Sequence, residues 1–279
     1  MGCRVGLVLL ASGCGRLAFE GVDAEVVAPT FGPPAIVSEL HDAAAFGEED
    51  PSLTGDMLEV VFERGAKLWR AQRATIGEPF GAPALIEELN VADEFTPELS
   101  SDGLTLTFAS DRTGLGDIYV TTRSDRSLPW SPPQLIEALS SPASDEGAVA
   151  TADLRVVVLA SARLGGDGNF DLFVATGSGN AYTWDAPTNL AVLNSPEDDL
   201  APFVHEPTHT LYFASTRDPA RSKDLYAARY DGLVFYDPVR IDELDSDERE
   251  SDPWVSPDGT TIYFARDVSG FSQIFRATR

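Results

Sequence analysis

The chain has 279 residues, of which 43% are hydrophobic, and a formal net charge of −25. This hydrophobic fraction is sufficient for a large buried core, while no apolar run reaches the 18 or more residues of a membrane-spanning helix. The negative charge argues against binding to nucleic acid, which requires a basic surface, and against loose binding to anionic lipid.

The N-terminal segment is typical of an exported bacterial lipoprotein. Arg4 supplies a positive charge, an apolar run at residues 5–10 follows, and small residues come next. The segment Leu10-Ala-Ser-Gly-Cys14 resembles a bacterial lipobox, in which the cysteine becomes the lipidated first residue of the mature protein. It departs from that pattern at Ala11, where leucine is usual.

These features predict three parts of the chain. We expect a signal peptide at residues 1–13, a tether at residues 14–30 that begins with lipidated Cys14, and one folded domain at residues 31–279. The other cysteine, Cys3, also precedes the domain, so the domain has neither a disulfide nor thiol chemistry. The predicted location is the bacterial cell envelope; the alternatives are secretion without an anchor, a misplaced start codon and a cytoplasmic protein.

Beyond residue 30 the sequence consists of five repeats of about 50 residues. Each opens with aromatic-x-x-Pro, carries an acidic residue three positions before Pro or Ala, continues into an apolar run, and ends in a short strand-like segment. The centre of the apolar run recurs at intervals of 46, 51, 54 and 51 residues, and so does the Pro or Ala. The central residues are Phe62, Phe108, Leu159, Phe213 and Phe264. Periods of this size are typical of propellers and solenoids.

Each repeat is predicted to contain four strands. Runs such as residues 104–109 and 261–265 are rich in β-branched and aromatic residues, and Asp-Gly turns at Asp102 and Asp258 precede them. No stretch of ten residues has a helical period. We therefore predict an all-β fold, a five-bladed β-propeller with four-stranded blades. The first strand, within residues 31–40, is expected to complete the last blade and so remove an exposed edge.

The repeats resemble the WD40-like propeller repeat of the TolB type, which occurs in many bacterial envelope lipoproteins. The resemblance covers residues 31–279, and the second repeat carries it best. Its matching residues are Glu94, Pro97, Ser100, Asp102, Gly103, Phe108, Ser110, Arg112, Asp117, Ile118 and Tyr119. The first and last repeats depart, because each has arginine two residues after the central phenylalanine and no aspartate before the last strand. The resemblance implies a propeller, and it says little about function because propellers host many activities.

An acidic residue at one fixed repeat position is the candidate binding site. The five residues are Glu48, Glu94, Asp145, Asp199 and Glu250. In a propeller this position begins the innermost strand, so the five would surround one mouth of the central channel. Like charges so placed raise one another's pKa and attract a cation, a basic side chain or an amine. Further acids would thicken the ring: Glu49, Asp50, Glu146, Glu197, Asp198 and Asp252. The alternative is a structural carboxylate that caps backbone N–H groups or pairs with an arginine of a neighbouring blade.

Two other motifs suggest metal chemistry and are interpreted as structural. His205-Glu-Pro-Thr-His209 fits the zinc-protease pattern, but that pattern requires a helix, and Pro207 falls in its interior at a hairpin-turn position. The loop from Gly165 to Asp171 has oxygen-rich spacing for weak calcium binding but lacks the terminal glutamate of a known calcium loop. We predict no metal site, no cofactor and no catalytic residue.

The favoured function is a non-catalytic, lipid-anchored propeller that binds an envelope protein or a cell-wall component at the acidic channel mouth. The alternative is a glycoside hydrolase of the five-bladed, arabinanase-like kind. Such an enzyme needs two carboxylates about 5 to 9.5 Å apart, contributed by particular blades rather than by the repeat.

Overall fold

The structure is a computed structural model that describes residues 30–42 and 47–279. The predicted signal peptide, Cys14 and nearly all of the tether lie outside the described residues. Within them, helical structure is limited to three 3-10 turns, at Ser38–Leu40, Glu206–Thr208 and Asp242–Leu244. None of the helical segments described is long and apolar enough to cross a membrane.

The strands form five antiparallel sheets, each built from the last three strands of one sequence repeat and the opening strand of the next, with the opening strand of the first repeat completing the fifth sheet. The first strand is β1 (Ala35–Ile36). Blade 1 contains β2 (Glu48–Leu53), β3 (Glu59–Arg64), β4 (Leu68–Gln72) and β5 (Ala84–Leu85). Blade 2 contains β6 (Glu94–Leu99), β7 (Thr105–Ser110), β8 (Asp117–Thr122) and β9 (Gln134–Leu135). Blade 3 contains β10 (Asp145–Ala150), β11 (Val156–Ser161), β12 (Asp171–Thr176) and β13 (Thr188–Asn189).

The last two blades follow the same order with small changes. Blade 4 contains β14 (Asp199–His205), β15 (Thr210–Ser215), β16 (Asp224–Asp231), β17 (Val234–Phe235) and β18 (Val239–Arg240). Its outer edge is divided, because β17 and β18 both pair with β16. Blade 5 contains β19 (Glu250–Val255), β20 (Thr261–Val268) and β21 (Phe271–Thr278), and β1 supplies its outer strand. The predicted five-bladed β-propeller is confirmed.

The repeated landmarks occupy one register in every blade. The central residue of the second strand pairs with an aromatic residue of the third strand. The pairs are Phe62–Trp69, Phe108–Tyr119, Leu159–Phe173, Phe213–Tyr226 and Phe264–Phe275. Cross-strand pairs of this kind stabilise a sheet beyond the area they bury. The period seen in the sequence is therefore the spacing of these pairs.

The ring is closed by the N-terminal strand, as predicted. Ala35 pairs with Arg276 and Ile36 with Phe275, which places β1 on the outer edge of blade 5. Phe31, just before this strand, is buried in the apolar cluster between blades 4 and 5. The last blade therefore has no exposed β21 edge.

The apolar core lies between neighbouring blades rather than at the centre of the ring. Five buried clusters each combine the facing surfaces of two adjacent blades. Val60 and Phe62 of blade 1, for example, pack against Trp254 and Tyr263 of blade 5. Because the core is between blades, the inner edges of the five sheets surround a central channel.

Candidate functional site

The five acids predicted to surround the channel each begin an innermost strand, but their side chains are buried. Each is at most 1% exposed. Each forms an ion pair with an arginine of its own blade, at N–O distances of 2.5 to 3.2 Å. The pairs are Glu48–Arg64, Glu94–Arg112, Asp145–Arg163, Asp199–Arg217 and Glu250–Arg266.

The arginine in each pair joins three parts of its blade. In blade 2, Arg112 donates to Glu94 and to the carbonyl oxygen of Leu89, and its guanidinium lies 4.6 Å from the ring centroid of Tyr119. The other four arginines make the same carbonyl contact with Leu40, Leu139, Leu193 and Leu244. A buried, charge-assisted contact of this kind fixes the entry of the inner strand against the aromatic pair.

The carboxylates also accept backbone hydrogen bonds, as the structural interpretation predicts. Glu94 accepts from the N–H groups of Val91 and Ala92, and Asp199 accepts from that of Ser195. The arginine partner, however, belongs to the same blade and not to a neighbouring one. A partner could reach these five carboxylates only by displacing an arginine, and their use in binding stays a prediction. The residues that follow them on the inner strands are stronger candidates for a binding site.

A β-bulge turns the next residues of every inner strand toward the channel. The pairing register shifts after the second residue of the strand in all five blades. The third residue has a positive φ of 46 to 56° in each case, and these residues are Asp50, Thr96, Gly147, Ala201 and Asp252. Four of the five are not glycine, although the left-handed region costs an L-residue about 1 kcal/mol. Bulges and strained backbone conformations of this kind are common where a fold must point particular side chains in a fixed direction.

The second and third residues of the inner strands line a cavity of about 340 Å³ at the predicted channel mouth. Six carboxylates border it: Glu49, Asp50, Glu63, Glu146, Asp252 and Asp267. Two basic side chains, Lys223 and Arg249, are also at its border. Blades 2 and 4 contribute Phe95 and Leu200 where blades 1 and 3 contribute Glu49 and Glu146, so the border of the cavity combines acidic and apolar side chains.

Three of these acids converge where blades 1 and 5 meet. Ligand oxygens of Glu49, Asp50 and Asp252 lie within 4.8 Å of one another, a spacing that could hold a metal ion. Burial and the neighbouring Asp252 carboxylate raise the pKa of Asp50 well above its usual value, and the same two causes raise the pKa of Glu49. Ser272 Oγ donates to Glu49 at 2.5 Å, and Ser251 Oγ donates to Asp252 at 2.8 Å.

Two glutamates missed by the sequence analysis belong to the same acidic group. Burial raises the pKa of Glu98 to about 8 and, together with the Glu49 charge, raises the pKa of Glu63 to about 7. Glu98 lies deeper, where the channel narrows to a space of about 10 Å³, roughly the room for one water molecule. The signal for Glu98 was available, because it follows Glu94 by four positions on the same strand, on the face opposite the apolar Leu99.

Other acids that were expected to thicken the ring lie elsewhere. Glu197 is exposed, and Asp198 accepts a hydrogen bond from the backbone of Phe170. Glu49, Asp50, Glu146 and Asp252 are at the cavity, as predicted.

The zinc-protease pattern folds as a turn. Glu206–Thr208 forms a 3-10 turn with Pro207 in it, and His209 after it has a φ of 52°. His205 is buried, with Nδ1 2.7 Å from Thr208 Oγ1 and Nε2 3.0 Å from the carbonyl oxygen of Ser256. His209 is exposed and stacks on Tyr230. The interpretation of this motif as a hairpin turn is confirmed.

Comparison with known proteins shows the fold alone. No family model and no curated protein sequence matches this chain. Among solved structures, one from Agrobacterium tumefaciens assigned as TolB is 17% identical, with a TM-score of 0.54 over 82% of this chain and 76% of that chain. An α-L-arabinofuranosidase from Lactobacillus brevis is 15% identical, with a TM-score of 0.58 over 88% and 94%.

A family 117 glycoside hydrolase from Zobellia galactanivorans is also similar. It is 10% identical, with a TM-score of 0.56 over 89% of this chain and 90% of that chain. The fold is thus shared with a TolB-type propeller and with glycoside hydrolases, and the identities are too low to transfer a function.

Proposed function

We propose that this protein is a non-catalytic propeller of the bacterial cell envelope that binds a cationic group of a protein or cell-wall partner at its acidic channel mouth. The observation that carries the proposal is the cavity of about 340 Å³ bordered by six carboxylates and two basic side chains. With all groups ionised, the border has a net charge of 2 − 6 = −4.

The raised pKa values support a cationic ligand. The pKa of Asp50 is raised well above its usual value, and that of Glu63 is raised to about 7, because burial and neighbouring carboxylates disfavour their charged forms. A bound ammonium or guanidinium group would favour the charged forms, because its positive charge would offset the repulsion between the carboxylates. Anionic clefts of this kind also concentrate cations and accelerate association.

The apolar side chains of the cavity restrict the ligand further. Phe95 and Leu200 line the same cavity as the acids. A lysine or arginine side chain has an aliphatic stem and a charged end, and an N-terminal amine next to an apolar side chain has the same character. Either group would place its charge near Asp50 and Asp252 and its apolar part against Phe95 and Leu200.

The envelope location and the lipid anchor at Cys14 rest on the N-terminal sequence. They are tested by the intact mass and membrane fractionation of the protein expressed in a bacterium, beside a Cys14→Ser variant. A diacyl or triacyl mass that starts at Cys14 and is absent from the variant is the expected result. An unmodified chain that retains Met1 would remove the anchor from the proposal.

The binding site is tested by removing charge at the mouth without disturbing the buried ion pairs. The double variant Glu49→Gln/Asp252→Asn removes two charges from the cavity, and the matched control Glu87→Gln/Glu137→Gln removes two from exposed positions on blade exteriors. Tetralysine binding, measured by calorimetry at low salt, should weaken about tenfold or more in the first variant and change little in the second. Equal affinities in the two variants would contradict binding at the mouth.

A partner is then sought by capture from envelope extract with the same two variants. The proposal requires a protein or a cell-wall fragment that the wild type and the control retain and that the mouth variant loses.

One observation favours glycoside hydrolysis as a second candidate. The channel acids are not repeated in every blade: Asp50 and Asp252 belong to blades 1 and 5, whereas Thr96, Gly147 and Ala201 take the same position in the other blades. Carboxylates unique to particular blades are what such an enzyme requires, and an acid with a raised pKa is what its proton donor requires.

Glu63, whose pKa is raised to about 7 and which borders the cavity, would be that donor. Assays with para-nitrophenyl glycosides and arabinan test this candidate. Turnover that is lost in Glu63→Gln and kept in Glu87→Gln would replace the binding proposal with an enzymatic one.

A further inference from the structure

A second group of carboxylates lies away from the channel cavity, where blade 4 meets blade 5. Asp224 begins β16, Asp245 follows the 3-10 turn Asp242–Leu244, and Glu250 begins β19. One oxygen from each of these three side chains lies within 4.8 Å of the other two. Asp224 and Glu250 are at most 1% exposed.

Four oxygens of this group have no hydrogen-bond partner among the described residues, apart from any proton that the carboxylates share. They are both oxygens of Asp224, Oδ1 of Asp245 and Oε2 of Glu250. Buried carboxylate oxygens are normally satisfied, and one left without a donor costs folding free energy. These four oxygens therefore need a hydrogen-bond donor or a cation that the described residues do not supply.

The nearby arginines contact other oxygens. Arg266 donates to Oε1 of Glu250 at 2.8 Å, and Arg221 donates to Oδ2 of Asp245. Arg240 Nη1 is 3.8 Å from Oδ2 of Asp224, which is too long for a hydrogen bond. The three arginines thus leave these four oxygens without a hydrogen-bond donor.

The other blade interfaces show that this arrangement is not a requirement of the fold. The position of Asp245 is held by asparagine or serine at three of them, and those side chains accept a hydrogen bond from the third strand of the preceding blade. The residues and their donors are Asn90 with Leu68 N–H, Ser140 with Ile118 N–H, and Asn194 with Leu172 N–H. At these interfaces the position carries no charge.

The position of Asp224 differs in the same way. In blade 3 the equivalent Asp171 accepts the backbone N–H groups of Asp167 and Gly168, which belong to the loop that the sequence analysis considered for calcium. In blade 2 the equivalent Asp117 accepts the Thr113 hydroxyl. Asp224 has neither kind of donor.

We propose that Asp224, Asp245 and Glu250 bind a divalent cation, most suitably Ca²⁺, which joins blade 4 to blade 5. Two oxygens on one calcium ion at 2.3 to 2.6 Å can be at most about 5 Å apart, and the observed spacing meets that limit. The three side chains offer up to four oxygens, and water completes a coordination number of six to eight. The site is separate from the channel mouth and does not depend on the proposed function.

Burial and the mutual repulsion of the carboxylates favour a bound cation. Burial and the adjacent Asp245 carboxylate raise the pKa of Asp224 to about 7, and burial raises the pKa of Glu250. A divalent ion would neutralise the group in place of a proton.

The test compares calcium binding by the full chain and by two single variants, after removal of metal with EDTA. Asp245→Asn introduces the residue already present at positions 90 and 194, so the variant is expected to fold. Asp252→Asn is the control at the other acidic cluster. Calorimetry with CaCl₂ up to about 10 mM covers even the weak affinities of extracellular calcium modules.

We expect the wild type and Asp252→Asn to bind one Ca²⁺ ion, and at about 100 times Kd their Tm should rise by roughly 5 °C. Asp245→Asn should bind at least tenfold more weakly and show no comparable shift. Absence of saturable binding in the wild type would overturn the proposal in favour of a shared proton. Binding kept in Asp245→Asn but lost in Asp252→Asn would overturn it in favour of the channel mouth.

Discussion

Replacing Glu98 by glutamine should stabilise the protein at neutral and alkaline pH and leave it almost unchanged at pH 5. Glu98 is half-buried in the narrow part of the channel, where it accepts a hydrogen bond from Ser52 Oγ at 3.3 Å. Burial is the main reason that its pKa rises from 4.5 to about 8, and the Asp252 charge adds to the rise, while the Ser52 hydrogen bond opposes it. Glutamine keeps an oxygen for Ser52 and has no charge at any pH.

The sign follows from proton linkage. Between pH 4.5 and about 8 the folded protein holds a proton on Glu98 that the unfolded chain has lost, so the free energy of unfolding falls as pH rises. Each pH unit contributes up to about 1.4 kcal/mol, which would amount to roughly 5 kcal/mol across the whole interval. Glu98 keeps some contact with water, so we expect about half of this.

Urea unfolding at pH 5, 6, 7 and 8, followed by tryptophan fluorescence in the presence of EDTA, measures the effect. The stability difference between Glu98→Gln and the wild type should grow from near zero at pH 5 to about 2 kcal/mol at pH 8. Glu87→Gln, at an exposed position, should show no such trend. A difference of the same size at every pH would show that Glu98 is not held in its acid form, and the argument about its burial would be wrong.

Four further substitutions test the blade architecture by urea unfolding. Asp145→Asn removes the buried charge that pairs with partly buried Arg163 and should lower the free energy of unfolding by about 3 kcal/mol; a loss below about 1 kcal/mol would contradict a structural role for the pair. Ala201→Gly relieves a φ of 51° and should gain about 1 kcal/mol, whereas Gly147→Ala at the equivalent bulge should lose at least as much. Phe31→Ala should cost about 3 kcal/mol, because Phe31 is buried beside the strand that closes the ring; a neutral result would mean that closure does not depend on this segment.

The architecture could be predicted because the repeat is set by local chemistry. The proline of the repeat lies at the bulge of the inner strand, as in Pro51 and Pro97, and the central aromatic residue lies at the cross-strand pair, as in Phe62 and Phe108. The proline and the aromatic residue are each required by the geometry of a single blade, so they recur in the sequence once per blade. Closure by β1 followed from the order of the strands and needed no knowledge of packing.

The side-chain directions at the channel could not be predicted in the same way. An alternating strand would expose every second residue, but the bulge inserts a left-handed residue and changes which side chains face the channel. Glu48 is therefore buried against Arg64 while Glu49 and Asp50 line the cavity. One alternative interpretation of the five acids paired them with an arginine of a neighbouring blade. The observed pairs are within a blade because the aromatic ring of that blade, such as Trp69 for Arg64, holds the guanidinium in place.

The contrast between repeated and unrepeated residues separates stability from function in this fold. Every blade has the same strands to hold together, so a side chain that the blade needs is expected at each copy, and the acid–arginine pairs meet that expectation. Asp252 in the channel is not repeated in this way, because Gly147 and Ala201 take its position in other blades. Asp245 between blades 4 and 5 is not repeated either, because Asn90 and Asn194 take its position at other interfaces. Asp252 raises the pKa of Asp50 and Asp245 raises that of Asp224, in addition to the effect of burial, and like-charge contacts of this kind lower stability at neutral pH. A charge that the blade does not require, and that opposes folding, is best explained by a cation or a cationic partner that neutralises it.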